Sequence, residues 1–293
     1  FQMLDDELRT QNWVAALKQV VTPDDIVVDI GTGTGILAMA AAKAGAKKVY
    51  AIEQGRIANL AENLIAANGL SDRIDVIRGR STSVTLPERG TVLVSEIIGN
   101  AIFNEGILKT FLDAKQRLLQ PNATFIPNSL DIYAVAVEFE EGFYRKRVFN
   151  EATLERWQDM YGLDFGSFPH SDAIQAYTVS PRHTNLWRNL SEPQHVTTVD
   201  FTQLTSTVSD IITTTLPVTK AGQLTGLVVY PVIHLAQGIV HSLQPKTIHK
   251  TNSWNIPLYG LPQGITLSEG DQLDLHTQYS GTQLSVLHLA KHV

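Results

Sequence analysis

Residues 27–35, VVDIGTGTG, constrain the fold more than any other stretch. A β-branched run breaks into glycines at Gly31, Gly33 and Gly35 and then enters the alanine-rich segment GILAMAAAKAGA (35–46). Glycines placed between a strand and a helix let the backbone turn sharply and approach a ligand closely. The same alternation continues through KKVYAIE (47–53), GRIANLAENLIAANGL (55–70), RIDVIRG (73–79), GTVLVSE (90–96) and IFNEGILKTFLDAKQRLLQP (102–121), the last a helix closed by Pro121. Strands and helices in this order predict a parallel sheet covered by helices on both faces. Ahead of it, MLDDELRTQNWVAALKQVV (3–21) reads as one amphipathic lead-in helix.

After about Pro127 the texture changes. SLDIYAVAVEFE (129–140), HVTTVDF (195–201), GLVVYPVIHLA (226–236) and DQLDLHTQY (271–279) are alternating or β-branched and threonine is frequent. This half is expected to be mainly antiparallel, a sandwich or barrel. NEATLERWQDMYGLDF (150–165) interrupts it as a helical insert. The expected organisation is a first domain over 1–126 and a second over 127–293, with a helical arm over about 150–190.

Two features of the first half carry chemistry. Glu53 ends the second strand, where an acid accepts both hydroxyls of a ribose, so a nucleoside ligand is implied. The loop is GxGxG and not the dinucleotide pattern GxGxxG, and Asp29 stands where a dinucleotide site is usually apolar. An NAD-dependent oxidoreductase is disfavoured on both counts. SEIIGNAIFNEG (95–106) then places Glu96 at the end of the fourth strand and Glu105 nine positions later, with no other charge between them. Ligands of open α/β sheets bind at the carboxyl ends of strands, so Gly31, Glu53 and Glu96 are expected to face one pocket. If the loop folds back, Glu105 joins Glu96. Two neighbouring carboxylates repel, and one takes up a proton unless a cation lies between them. A guanidinium suits that place, being planar, permanently charged and forked.

Bulk properties narrow the classes. The 293 residues carry a net charge of -6 with no basic block, so nucleic acid is not an expected partner. No apolar run of about 18 residues predicts a membrane span, and no signal-peptide pattern opens the sequence. The absence of cysteine excludes a disulfide framework and a thiolate metal site, and fits a cytoplasmic protein. His234, His241, His249 and His276 show no metal-ligand spacing and are read as core or surface histidines.

The glycine loop, the following acid and SEIIGNAIFNEG together resemble the protein arginine methyltransferases, class I S-adenosylmethionine-dependent enzymes. In that family a Ser-Glu strand end opens a loop closed by a second glutamate, and Ser95, Glu96 and Glu105 match. The resemblance implies an α/β fold: a Rossmann-like class I methyltransferase domain, then a mainly antiparallel β-barrel carrying a helical dimerisation arm. IPN (126–128) resembles the junction and ERWQDMYGLDF (155–165) the arm, which implies a homodimer. It further implies S-adenosylmethionine as cofactor, S-adenosylhomocysteine as product and no metal. Cofactor contacts carry over to Met3, Arg9 (on the cofactor carboxylate), Asp29, Gly31, Gly33, Gly35, Glu53, and Ser81 or Thr82 near the adenine. Glu96 and Glu105 become the catalytic pair, with Asn100 and Trp254 facing the acceptor.

The match has departures. The family loop usually reads SEWMGY, so Ile97 and Asn100 replace Trp and Tyr. The Thr-His-Trp motif survives as NSW (252–254), with Ser253 for His. Asp6, the usual partner of that His, is expected to lack one unless His249 substitutes. Three functions stay open at this point. One is an N-methyltransferase acting on a guanidine of a protein, peptide or metabolite. Another is a methyltransferase of the same fold acting on a small amine or hydroxyl. The third is a catalytically silent partner subunit.

Overall fold

The computed structural model describes residues 2–168, 172–249 and 251–292. The lead-in segment is two helices, α1 (Gln2–Asp5) and α2 (Glu7–Val20), not the single helix expected over 3–21. Asp6 makes the break. Its carboxylate accepts from the Arg9 amide at 3.3 Å, which is the N-cap arrangement that starts a new helix.

The parallel sheet comprises β1 (Ile26–Ile30), β2 (Lys48–Glu53), β3 (Ile74–Arg78), β4 (Gly90–Ser95) and β5 (Leu119–Ile126), in the order β3-β2-β1-β4-β5. Helices α3 (Ile36–Ala44), α4 (Ala58–Ala67) and α5 (Ile107–Arg117) connect them. All five residues of β1 are buried, as befits a central strand covered on both faces. Strand order reverses between β1 and β4, so a crevice opens at their carboxyl ends.

The helix expected over 102–121 ends at Arg117, and Pro121 lies inside β5 instead of closing a helix. The β4–β5 register jumps between Gly90↔Leu119 and Val92↔Thr124. That irregularity takes Pro121, which has no amide hydrogen, out of the ladder. A proline inside the segment is what gives 119–126 the sequence appearance of a helix end.

The Ile126–Pro127 peptide is cis, and the chain then enters antiparallel structure. In chain order come β6 (Ser129–Phe139), α6 (Glu141–Arg147), α7 (Glu151–Tyr161), β7 (Gln175–Val179), β8 (Trp187–Asn189), β9 (Gln194–Asp200), β10 (Ile212–Pro217), β11 (Gly222–Ala236), β12 (Ile239–Ser242), β13 (Ile256–Leu267), β14 (Gln272–Ser280) and β15 (Gln283–His292). One sheet runs β7-β13-β11-β6-β8, with β12 added to β11 and β9 to β6. The other runs β10-β14-β15. Leu130, Ile132 and Ala134 alternate with less buried neighbours in the first half of β6, and from Ala134 to Val137 both faces of the strand are buried. The helical stretch expected from 150 is α7, preceded by α6, which the sequence did not announce. Within the expected arm segment of 150–190, β7 and β8 are already sheet strands, and residues 169–171 lie outside the described residues.

Helix α2 lies between the two halves. Its Trp13, Ala16 and Leu17 are almost completely buried. The Trp13 ring meets His241 of β12 at 5.8 Å and Trp254 at 6.0 Å between centroids. The lead-in helix is therefore fixed by the β half while it borders the crevice of the parallel sheet.

Candidate active site

At the end of β1 the chain must leave a fully buried strand and start α3 within a few residues. Gly31 and Gly33 take φ of +74° and +55°, which side-chain-bearing residues rarely adopt. A Cβ on Gly31 would stand 2.9 Å from Ile97 Cγ2, so the loop also needs glycine to pass under the segment after β4. Gly35 is the left-handed N-cap of α3. Asp29 sits beneath this turn, 1% exposed. Its carboxyl accepts from Thr32 Oγ at 2.5 Å, and burial, reinforced by the charge of Glu53, pushes its pKa up to about 7. Glu53, at the end of β2, accepts from the amides of Gly33 (3.0 Å) and Gly55 (2.7 Å). Each carboxylate oxygen keeps a lone pair free for a further donor.

A cavity of about 550 Å³ opens here, lined by Met3, Arg9, Trp13, Gly31, Gly33 and Glu96 among others. Its apolar wall includes Ile36, Leu37 and Ile57. Ser81 and Thr82 lie in the turn after β3. The Ser81 carbonyl accepts from Arg117 at 2.5 Å, which braces that turn on α5. A smaller cavity of about 320 Å³, beside Trp187 and Tyr230 in the β half, is remote from the strand ends.

The opposite wall holds the glutamates. Ser95 is fully buried and its hydroxyl donates to the Ile30 carbonyl at 2.6 Å, which locks the end of β4 to β1. The chain then turns through Gly99 and Ile102, joined by an isolated antiparallel bridge. Ile102 has φ +66°, an unusual conformation for a β-branched residue, and is buried. Glu96 is almost enclosed, and its Oε2 accepts from Arg9 Nη1. Burial pushes its pKa up to about 8; the Arg9 cation acts in the opposite sense, and the charge of Glu105 adds to the rise. Glu105 is more open. Burial raises its pKa as well, against the pull of Arg9. The two carboxyls are thus electrostatically coupled, and it is Glu96 that makes the direct ion pair with Arg9.

The chain is similar to several known proteins. The family model for ribosomal protein L11 methyltransferase matches residues 9–130, which is the parallel-sheet half and the start of β6. A probable histone-arginine methyltransferase 1.4 from Arabidopsis thaliana is 37% identical over 207 residues, covering 69% of this chain and 39% of the relative. Protein arginine N-methyltransferase 1 from Schizosaccharomyces pombe is 36% identical over 167 residues, covering 56% of this chain and 47% of the relative. The chain belongs to the protein arginine methyltransferase family. It spans less than half the length of these two curated relatives. The two-domain fold is shared with the Trypanosoma brucei PRMT1 enzyme-prozyme heterotetrameric complex with AdoHcy, at TM-score 0.80, 21% identity, and 99% and 95% coverage of the two chains. Arabidopsis thaliana protein arginine methyltransferase 10 superposes at TM-score 0.77, with 24% identity and 94% and 86% coverage.

The residues of this family member fit S-adenosylmethionine. Arg9 Nε, Thr10 Oγ and Trp13 Nε1 are buried without a hydrogen-bond partner among the described residues, and all three side chains line the large cavity. Buried orphan donors are costly unless an acceptor meets them. Glu53 does not itself line the cavity; it reaches the cavity wall through the Gly33 amide and keeps acceptors for a diol. Thr10 and Trp13 were not singled out from sequence, although they share a face of α2 with Arg9.

Two expected acceptor contacts are engaged within the protein. Trp254 is buried, its Nε1 donates to the Ile98 carbonyl, and its ring lies 5.5 Å from the Arg9 guanidinium. The exposed Asn100 accepts from the Asn255 amide at 2.6 Å. The expectation that Asp6 lacks a partner is corrected. Its Oδ2 accepts from Ser253 N at 2.7 Å and Ser253 Oγ at 3.0 Å. His249 instead meets Thr251 at 2.6 Å. Buried His241, between Asn12 and Asn252, has its pKa pushed down to about 4, chiefly by burial. Among the described residues no cluster could hold a metal, and no helix is long and apolar enough to cross a membrane.

Proposed function

We propose that this chain is an S-adenosylmethionine-dependent N-methyltransferase whose acceptor is a guanidine nitrogen, gripped by Glu96 and Glu105. The observation that carries this reading is the electrostatic coupling of Glu96, buried directly after β4 and lining the cofactor-sized cavity, with the more exposed Glu105 just ahead of α5. S-adenosylmethionine supplies an electrophilic sulfonium methyl when bound. Arg9, through Nε, holds its carboxylate end, the amides and bare backbone of Gly31 and Gly33 let it approach β1, and Glu53 accepts from its ribose. Asp29 stiffens the loop from below.

Free guanidinium has a pKa of about 12.5 or more, so it arrives charged. Its approach draws the proton off Glu96, because an opposite charge favours the carboxylate form. Two carboxylates on one guanidinium fix its plane and localise electron density on the nitrogen turned toward the cavity. The Glu96 carboxylate so formed then takes up the proton that this nitrogen sheds on methylation. Ile97, in contact range of Gly31, and the tethered Asn100 give the acceptor a different floor from that of the family's aromatic loop. A narrower guanidine acceptor than a generic peptidyl arginine follows from that difference.

We also read the arm as a dimer element. Met160, Tyr161 and Leu163 stand exposed at its tip, and Met3, Leu4, Leu8, Ile57 and Leu60 stand exposed beside the cavity. A second copy placing one patch on the other would bury both.

The test is transfer of labelled methyl from S-adenosylmethionine to arginine peptides, free arginine, other guanidines and simple amines, with Glu96→Gln and Glu105→Gln in parallel. Guanidine methylation lost in either variant is the expected result. Undiminished transfer in both variants removes the glutamate grip, and labelling of amines alone removes the guanidine acceptor.

A further inference from the structure

The loop between the two glutamates is folded on itself. Gly99 N donates to the Ile102 carbonyl at 3.2 Å and Ile102 N donates to the Gly99 carbonyl at 2.8 Å, so the segment is a tight hairpin with Asn100 and Ala101 at its tip. Phe103 then anchors the returning chain: it is fully buried, with its ring 5.5 Å from that of Tyr279 on β14. Gly106, at φ +81°, donates its amide to the Phe103 carbonyl at 2.8 Å and caps α5. Glu105 stands between these fixed points. Glu96 has Arg9 to hold its carboxyl, whereas Glu105 is exposed and takes its direction from the backbone on either side of it.

Asn104, the residue directly ahead of Glu105, ties that backbone to the tip. Its Oδ1 accepts from the Ala101 amide at 3.0 Å. Gly99 shows how closely the side chain is seated. A Cβ on Gly99 would lie 1.8 Å from Asn104 Oδ1, 2.6 Å from its Cγ and 3.1 Å from its Nδ2. Gly99 is not among the glycines of positive φ, so its backbone conformation does not call for glycine. Space does: the Asn104 amide occupies the place where a side chain at 99 would stand. The tie also spans Ile102, which keeps φ +66°, a conformation that persists only where the surroundings hold it.

We propose that Asn104 is a positioning residue for acceptor recognition: its amide, seated over Gly99, latches the hairpin tip to the chain just ahead of Glu105 and so aims that carboxylate. With the latch open the loop samples other conformations, and part of the acceptor's binding energy goes into reordering Glu105. Asn104 does not line the large cavity, and Glu96 keeps its own partner in Arg9. The effect therefore falls on acceptor binding and spares the cofactor. The kinetic consequence rests on the glutamate grip proposed above; the fit of Asn104 over Gly99 does not.

The experiment uses the full chain with Asn104→Ala, Asn104→Asp, Gly99→Ala and the Gly99→Ala/Asn104→Ala double variant. Steady-state transfer to an arginine peptide gives KM and kcat, calorimetry gives S-adenosylhomocysteine binding, and denaturant unfolding gives stability. Loss of one hydrogen bond with its seat predicts about a fivefold rise in peptide KM for Asn104→Ala, with kcat and S-adenosylhomocysteine binding within about twofold of the unmodified chain. Asn104→Asp, which keeps an accepting oxygen at the same reach, shows no rise in KM. Gly99→Ala expels the amide and raises KM at least as much, but adds nothing in the Asn104→Ala background, where the clashing atoms are gone. An unchanged KM in Asn104→Ala, a KM raised equally in Asn104→Asp, or additive losses in the double variant overturns the proposal. Should Gly99→Ala fail to fold, the two Asn104 variants decide it. If no guanidine is methylated, the proposed function falls, and the latch is judged by unfolding: a loss of stability in Gly99→Ala that is absent in the Asn104→Ala background upholds it, and an equal loss in both backgrounds overturns it.

Discussion

On the β2 side of the cleft, Glu53 is held by the amides of Gly33 and Gly55, on loops that lead directly out of the sheet. On the β4 side, Glu96 is held by Arg9, whose helix is capped by Asp6, which is held in turn by Ser253 near the far end of the chain. The first wall is made of backbone donors and glycine geometry and is complete within one βαβ unit. The second is made of side chains drawn from α2, the β4 loop and the β half. On the proposed reading, the wall that meets the cofactor's ribose is built locally, the wall that meets the acceptor draws on both halves of the molecule, and Arg9 serves both.

The largest separation of the two walls is expected from Glu96→Gln. Removing a carboxylate aimed at the reacting nitrogen predicts a fall of about 10² to 10³ in kcat, read by labelled-methyl transfer. S-adenosylhomocysteine affinity, which rests on the other wall and on Arg9, changes far less. Equal losses in binding and transfer would show that the walls are not separable.

Gly31→Ala attacks the place where they touch. A side chain at φ +74° is strained, and its Cβ would stand 2.9 Å from Ile97 Cγ2. A loss of stability of about 2 kcal/mol is expected in denaturant unfolding, with both binding and transfer impaired. A variant that loses binding alone would mean that the Ile97 contact does not connect the walls.

Asp29 gives the smallest and most local effect. Burial holds its pKa at about 7 in the folded chain, above its ordinary value of 3.8. The folded state keeps a proton that the unfolded chain releases. The stability tied to that proton is full below about pH 4 and is lost as pH rises through about 7. Between pH 6 and 8 the unmodified chain should lose about 1 kcal/mol more than Asp29→Asn, by denaturant unfolding at both values. An equal loss in the two proteins would show that Asp29 is already ionised in the folded state.

The same division decides what could be read from the sequence. Gly31, Gly33, Gly35 and Glu53 were legible because their geometry is set by neighbours in the chain. Glu96 and Glu105 were legible as residue types at a spacing, and the ion pair of Glu96 with Arg9 was not, since nothing in either segment names the other. Arg9 is expected on a cofactor carboxylate from the resemblance, and in the structure its guanidinium pairs with Glu96. The partner of Asp6 was sought at His249, near in sequence to the altered motif, when the shorter Ser253 side chain and its amide suffice. One signal was available. Asp6 stands three residues before Arg9 at a helix start, the spacing of an N-cap, and predicts the break between α1 and α2. Pro121 misled for a physical reason: a proline usually ends a helix, but β5 carries it in a register irregularity where no amide hydrogen is needed.

The central claim is that Glu96, buried and proton-holding, and the more exposed Glu105 together form a seat for a cation on the β4 side. The most direct measurement is calorimetry of an arginine peptide binding to the S-adenosylhomocysteine-loaded protein at pH 7, in two buffers of different ionisation enthalpy. Burial holds Glu96 at about 8, so seating a guanidinium should release close to one proton per peptide, and Glu96→Gln should abolish the release. Binding with no proton released from the unmodified protein, or the same release from Glu96→Gln, would contradict it.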